Sequence, residues 1–91
     1  MIFVKSPLAL GSLLRGTRTA MNIPAADMAA MVKTTPVTLR RLEQGKPTTA
    51  ISTLFKLLDE LGLELYVSAP PGIVLRDPNE QSQTPRTRVR T

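Results

Sequence analysis

The chain has 91 residues, a formal net charge of +5, a sequence pI near 10.5, 42% hydrophobic and 21% charged residues. That length allows one domain, and the basic balance points to an anionic partner, most often nucleic acid. Cys and His are both absent, which excludes disulfides, zinc fingers, thiol catalysis and an imidazole general base.

The start, MIFVKSPLALGSLL, has one early positive charge and no small-residue cleavage site, so it reads as part of the fold. Lys or Arg interrupts every apolar run before the roughly 20 residues of a membrane helix, and the expected location is cytoplasmic. Ser6-Pro7 predicts a helix start: Ser caps, and Pro takes the first helical position, where its missing N–H costs nothing. Leu10, Leu13, Leu14 and Met21 follow at helical spacing, with Arg15 and Arg18 on other faces. Gly11 and Gly16 weaken this helix by about 1 kcal/mol each relative to Ala, and offer room for close packing of a neighbouring helix.

A second helix is expected from Pro24, by the same logic, to about Val32. Asp27 lies in its first turn, where a negative charge suits the helix dipole. Pro36 opens a third helix, capped by Thr35 and holding Val37, Thr38, Leu39, Arg40, Arg41, Leu42, Glu43 and Gln44 until Gly45 ends it. A fourth is expected from near Thr49 to Leu61, with Ile51, Leu54, Phe55, Leu58 and Leu61 on one face, and Gly62 stops it.

Leu63, Glu64, Leu65, Tyr66 and Val67 then alternate partly and predict a short strand. A lone strand of this length is unstable, so it needs a partner. The candidates are the Ile2, Phe3, Val4 segment and the same strand of a second chain, and the second is the expected one. From Ser68 the composition changes: residues 68–91 hold four of the eight prolines and few large apolar side chains. The expected organisation is a folded domain over 1–67 and a mostly disordered tail over 68–91. The folded part carries eight basic and five acidic residues, so it is basic in its own right. Arg86, Arg88 and Arg90 of the tail read as a solvated segment, and Gly72 to Arg76 holds the tail's apolar patch, a speculative docking site for a protein partner.

Two short helices separated by about three residues, the second basic on its outer face, describe a helix-turn-helix. The first helix of such a pair lies across the phosphate backbone; the second enters the major groove, where side chains reach base edges. The groove-facing positions here are Thr35, Pro36, Val37, Thr38, Arg40 and Arg41, while Leu39 and Leu42 face the core. Arg41 is the better candidate for a base edge, and Val37 for a thymine methyl group. Thr34, Lys46, Thr48 and Thr49 flank the recognition helix and suit phosphate clamping by hydroxyl, N–H or ammonium. For the arginines the competing reading is a solvated basic face, and for the threonines plain capping.

From Leu14 to Gly62 the chain resembles a Cro/Xre-type helix-turn-helix domain, through Arg18, Met28-Ala29, the turn Val32-Lys33-Thr34-Thr35, Leu39, Leu42, Glu43-Gln44-Gly45 and Leu61-Gly62. The resemblance implies an all-α, lambda-repressor-like domain of four to five short helices. It also implies that Arg18 and Glu43 pair, bracing the first helix against the end of the third. Arg18, Ala25, Lys33 and Gln44 then join the phosphate-contacting set. Two positions depart from the family. Ala25 stands where Gln usually clasps a phosphate, leaving only a backbone N–H. Lys33 stands where Gly is usual, so a non-Gly residue meets a positive φ while placing a charge near the backbone.

More narrowly, residues 6–67 resemble HipB-type antitoxins, through the Ser-Pro start, the Leu-rich first helix, LFKLLDELG and LELYV. Those are homodimeric repressors whose C-terminal strands pair across the dimer and which bind HipA-type serine/threonine kinases. The resemblance implies an operator-binding autorepressor and antitoxin, with double-stranded operator DNA, a second copy and a HipA-like kinase toxin as partners. A stand-alone repressor and a protein-interaction adaptor are the alternatives. Asp59, Glu60 and Glu64 lie near one another, but no Gly-rich phosphate loop or nucleophile–base set exists. No catalytic residue, metal or cofactor is expected.

Overall fold

The computed structural model describes residues 1–46 and 48–78. Their elements run β1 (Ile2–Val4), α1 (Pro7–Ala20), α2 (Ala25–Met31), α3 (Pro36–Glu43), α4 (Thr49–Leu61) and β2 (Leu65–Val67). The fold is all-helical apart from the two short strands.

Local chemistry sets the helix ends. Ser6 Oγ accepts from the Ala9 N–H at 3.1 Å, with Pro7 at the first helical position. Thr35 and Thr48 do the same for α3 and α4, accepting from Thr38 N at 3.2 Å and Ile51 N at 3.3 Å. α2 departs from expectation: Pro24 is its cap, extended at φ −62° and ψ 150°, and Ala25 is the first helical residue. Pro24 offers no side-chain acceptor, so this end is fixed by φ alone.

The C-termini of α1, α2 and α3 close in one way. A residue with positive φ follows the cap, and two N–H groups reach back into the last turn. The left-handed residues are Asn22 (φ 59°), Lys33 (φ 59°) and Gly45 (φ 74°). For α2 the bonds are Lys33 N–H to Ala30 O at 3.1 Å and Thr34 N–H to Ala29 O at 2.8 Å.

The core is small. Val4, Ala9 and Leu13 form its buried cluster, with Ile2, Leu10, Phe55, Leu65, Val67 and Leu75 packed around it. Ala29 and Leu39 are buried where α2 meets α3. Gly11 allows α1 to press on the end of α3: a Cβ there would strike the carbonyl oxygens of Leu42 and Glu43, the latter at 2.7 Å. Gly16 has no such role, since its Cβ direction opens on empty space. Leu42, expected inside, is 37% exposed. Leu54 and Leu61, expected on the packed face of α4, are exposed, and no residue of α4 is fully buried.

The strand finds its partner within the chain. β1 and β2 pair antiparallel, with Ile2 opposite Val67, Phe3 opposite Tyr66 and Val4 opposite Leu65. The expected pairing across a dimer is thus replaced on this edge by the N-terminal segment. A three-residue strand too short to show a period supplied the ladder. Leu63 and Glu64 precede β2 and lie outside it. Phe3 and Tyr66 meet on the outer face, ring centroids 5.5 Å apart. The Glu64 carboxylate accepts from the Tyr66 hydroxyl at 3.0 Å, and this bond, with the nearby charge and partial desolvation, raises the Tyr66 pKa above its usual value.

The change in composition at Ser68 does not end the packed structure. Leu75 returns to the core cluster, while Val74 is 89% exposed. The expected tail is therefore tied to the domain at its start, through Leu75 against the core and half-buried Ala69 and Ile73. Arg86, Arg88 and Arg90 lie outside the described residues.

Candidate nucleic-acid interface

α2, the turn and α3 set the site. The turn geometry rests on Lys33, whose left-handed backbone reverses the chain between the two helices. A side chain in that region costs roughly 1–2 kcal/mol relative to glycine, so the fold carries a strained residue to hold an ammonium there. Lys33 is exposed.

At about 100° per residue, Val37, Arg41 and Gln44 fall on one stripe of α3, with Arg40 beside it. Leu39 and Glu43 lie on the opposite side, Leu39 buried against α2 and Glu43 turned to α1. Val37 is 57% exposed and so is not part of the core. Thr35, Pro36, Thr38, Arg40, Arg41 and Gln44 are all exposed. Thr35 Oγ1 both caps α3 and donates to Thr38 Oγ1 at 3.1 Å, leaving Thr38 its own hydroxyl hydrogen for an acceptor outside. Lys33, Arg40, Arg41 and Lys46 make no ion pair or side-chain hydrogen bond among the described residues. Exposed cations without internal partners on α3 and at its two ends are what an anionic polymer requires.

Arg18 is placed differently. Its Nε donates to Glu43 Oε2 at 2.7 Å and its Nη2 to Oε1 at 3.0 Å, a forked pair. Nη1 donates to the Ile23 carbonyl at 2.8 Å. The two side chains are 12% and 6% exposed. The Glu43 hydrogen bonds, offset in part by desolvation and aided by charge attraction, raise the Arg18 pKa above its ordinary value. All three guanidinium nitrogens are thus committed inside the domain. The phosphate role expected of Arg18 is withdrawn: it braces α1 against α3 and the segment entering α2. The Ile23 carbonyl has no signature in sequence and was not anticipated.

Ala25 opens α2 and is half-buried, so only its backbone can take part. Thr34 is half-buried in the turn. Lys46, Thr48 and Thr49 are exposed in the α3–α4 connection and at the start of α4. Leu65, Tyr66 and Val67 form β2, with Leu63 and Glu64 leading into it, outside α2, the turn and α3. Among the described residues no cluster of three or more Asp or Glu is placed to hold a metal ion, and no helix is long and apolar enough to cross a membrane.

No curated protein and no solved structure matches the chain. A family model described as helix-turn-helix, of the Cro/C1 type, matches residues 14–67, the span from mid-α1 to the end of β2. With more than half of its length so matched, and with the turn, the brace and the exposed basic helix in place, the chain belongs to the Cro/C1-type helix-turn-helix family of DNA-binding transcription regulators.

Proposed function

We propose that the protein is a repressor that binds operator DNA as a homodimer. The observation that carries this reading is the outer face of α3, where Val37, Arg40 and Arg41 stand exposed and the arginines lack internal partners. In this reading Thr35, Pro36, Val37, Thr38, Arg40 and Arg41 meet base edges. The Ala25 N–H, Lys33, Thr34, Gln44, Lys46, Thr48 and Thr49 meet phosphates on either side. Each protomer lays α3 in one of two successive major grooves, so half-sites lie about one helical turn apart. Repression is occlusion of the promoter.

The resemblance to HipB-type antitoxins supports a finer role: autorepressor of its own operon and antitoxin of a HipA-like kinase, neutralised by contact and not by chemistry. A kinase-like neighbouring gene whose product co-purifies with this chain supports that role. Its absence leaves a stand-alone repressor.

The test of DNA reading is fluorescence anisotropy on the protein's own upstream DNA against a shuffled duplex, over a salt series. The expected preference is about a thousandfold or more. Arg40→Glu with Arg41→Glu is expected to abolish it while far-UV circular dichroism is unchanged. Preference surviving in the double variant means that another face reads DNA.

A further inference from the structure

We propose that the exposed leucine face of α4 is the dimer seam of this protein, on which a second copy lays its own α4 antiparallel. The proposal takes the dimer from the preceding reading and names the surface that makes it.

The argument starts from a helix with too many apolar faces. Ile51, Phe55 and Leu58 of α4 are half-buried toward the domain. Leu54, Leu57 and Leu61 remain 47%, 52% and 67% exposed, and Leu63, just past the helix, is 56% exposed. At about 100° per residue, Ala50, Leu54, Leu57 and Leu61 share an arc about 60° wide. Their 4-3-4 spacing is that of a coiled-coil seam. The four exposed leucines leave roughly 400 Å² of apolar surface, the size of the largest patch on a typical monomer, which is often a functional one. It is about half of the ~800 Å² per partner that a stable complex covers, so the flanks of the seam supply the rest.

Self-complementarity selects the occupant. A twofold axis passing between residues 54 and 57 sets Leu54 against Leu57 of the partner subunit, and Ala50 against Leu61 of the partner subunit. Small then faces large at both ends of the seam, and the pattern closes on itself as an isologous contact must. A parallel pairing sets Ala50 on its own copy and leaves a gap there. In the antiparallel arrangement Glu60 flanks Thr53 of the partner subunit, so no like charges meet. The sheet offers much less: each strand is three residues long, and three-residue edges bury little area.

The absence of native cysteine makes the seam directly readable. Light scattering on the full chain at tens of micromolar is expected to give twice the 9.9 kDa chain mass. Leu57→Glu is expected to give the chain mass with unchanged circular dichroism, while Val74→Glu, at a more exposed apolar site off the seam, stays dimeric. Under mild oxidation, Ala50→Cys mixed with Leu61→Cys is expected to cross-link more than either variant alone. Leu57→Glu is expected to lose about a hundredfold in operator affinity through lost bivalency, yet keep weak salt-sensitive binding to any duplex. A dimer that persists in Leu57→Glu overturns the seam and leaves the dimeric repressor standing. A wild-type chain that is monomeric overturns both the seam and the dimer, while the Arg40, Arg41 test still judges DNA reading. Efficient cross-linking of Ala50→Cys alone, whose two copies lie about 16 Å apart along an antiparallel seam, overturns the antiparallel arrangement.

Discussion

Lys33 carries a conflict between folding and binding. Its φ of 59° is a conformation glycine adopts at no steric cost and lysine does not. Its ammonium is exposed beside the helix expected to enter the groove. Lys33→Gly is therefore expected to stabilise the domain by about 1 kcal/mol, the left-handed penalty less the extra entropy of an unfolded glycine. The same change is expected to weaken DNA binding at every sequence and to lower the salt slope by about one counterion. Thermal melts and a salt titration of one variant check both halves. A stability gain with unchanged salt slope means that Lys33 does not touch phosphate. Asn22 holds the same backbone conformation at the end of α1 without this conflict, because Asn tolerates the left-handed region better.

At the scale of elements, contact between α1 and α3 depends on one missing side chain. Gly11→Ala pushes a methyl group against the Leu42 and Glu43 carbonyls, which belong to helix backbone and cannot swing aside. It also disturbs the Arg18–Glu43 brace that spans the same two helices. The expected loss is about 1–3 kcal/mol, the usual cost of overpacking. Gly16→Ala, one and a half turns further along α1, meets open space and is expected to gain up to about 1 kcal/mol from helix propensity. Chemical denaturation of the two variants compares them directly. Equal effects would mean that the helices do not approach as closely as described. The four helices were legible in sequence because their ends carry local signals: Ser6, Thr35 and Thr48 as caps, Pro7 and Pro36 at first positions, Gly45 and Gly62 as stops. The turn was legible for the same reason. The second strand was legible and Ile2, Phe3 and Val4 stood among its two candidate partners, but a three-residue segment with no period, paired across nearly the whole domain, could not decide between that segment and a second chain. Leu75 was hidden by its Pro-rich surroundings. The Arg18–Glu43 pair was expected from the family resemblance, but nothing in sequence showed that the Ile23 carbonyl takes the remaining guanidinium nitrogen. At α4 the apolar spacing was legible, but the pattern does not say which leucines face the domain and which face out.

For the whole molecule, the balance of burial bears on stability. Five apolar residues are buried, two of them alanines, and no large side chain is fully enclosed among the described residues. A domain of this size buries a small share of its surface and stands near the margin of independent stability. If α4 pairs with a second copy, the seam encloses the apolar area that the monomer leaves open, and folding becomes coupled to association. Mass action then makes the melting temperature depend on concentration. Melts over a hundredfold range of wild-type concentration are expected to shift upward by several degrees, since about 1 kcal/mol moves the midpoint of a domain this small by about 4–8 °C. Leu57→Glu is expected to melt lower than wild type and at a temperature independent of concentration. The two curves should converge at high dilution, where the wild-type chain is also monomeric and the solvent-facing position 57 contributes little. A wild-type melt that stays fixed over the whole range would mean that the small core suffices alone, and that the open leucines of α4 do not contribute to folding.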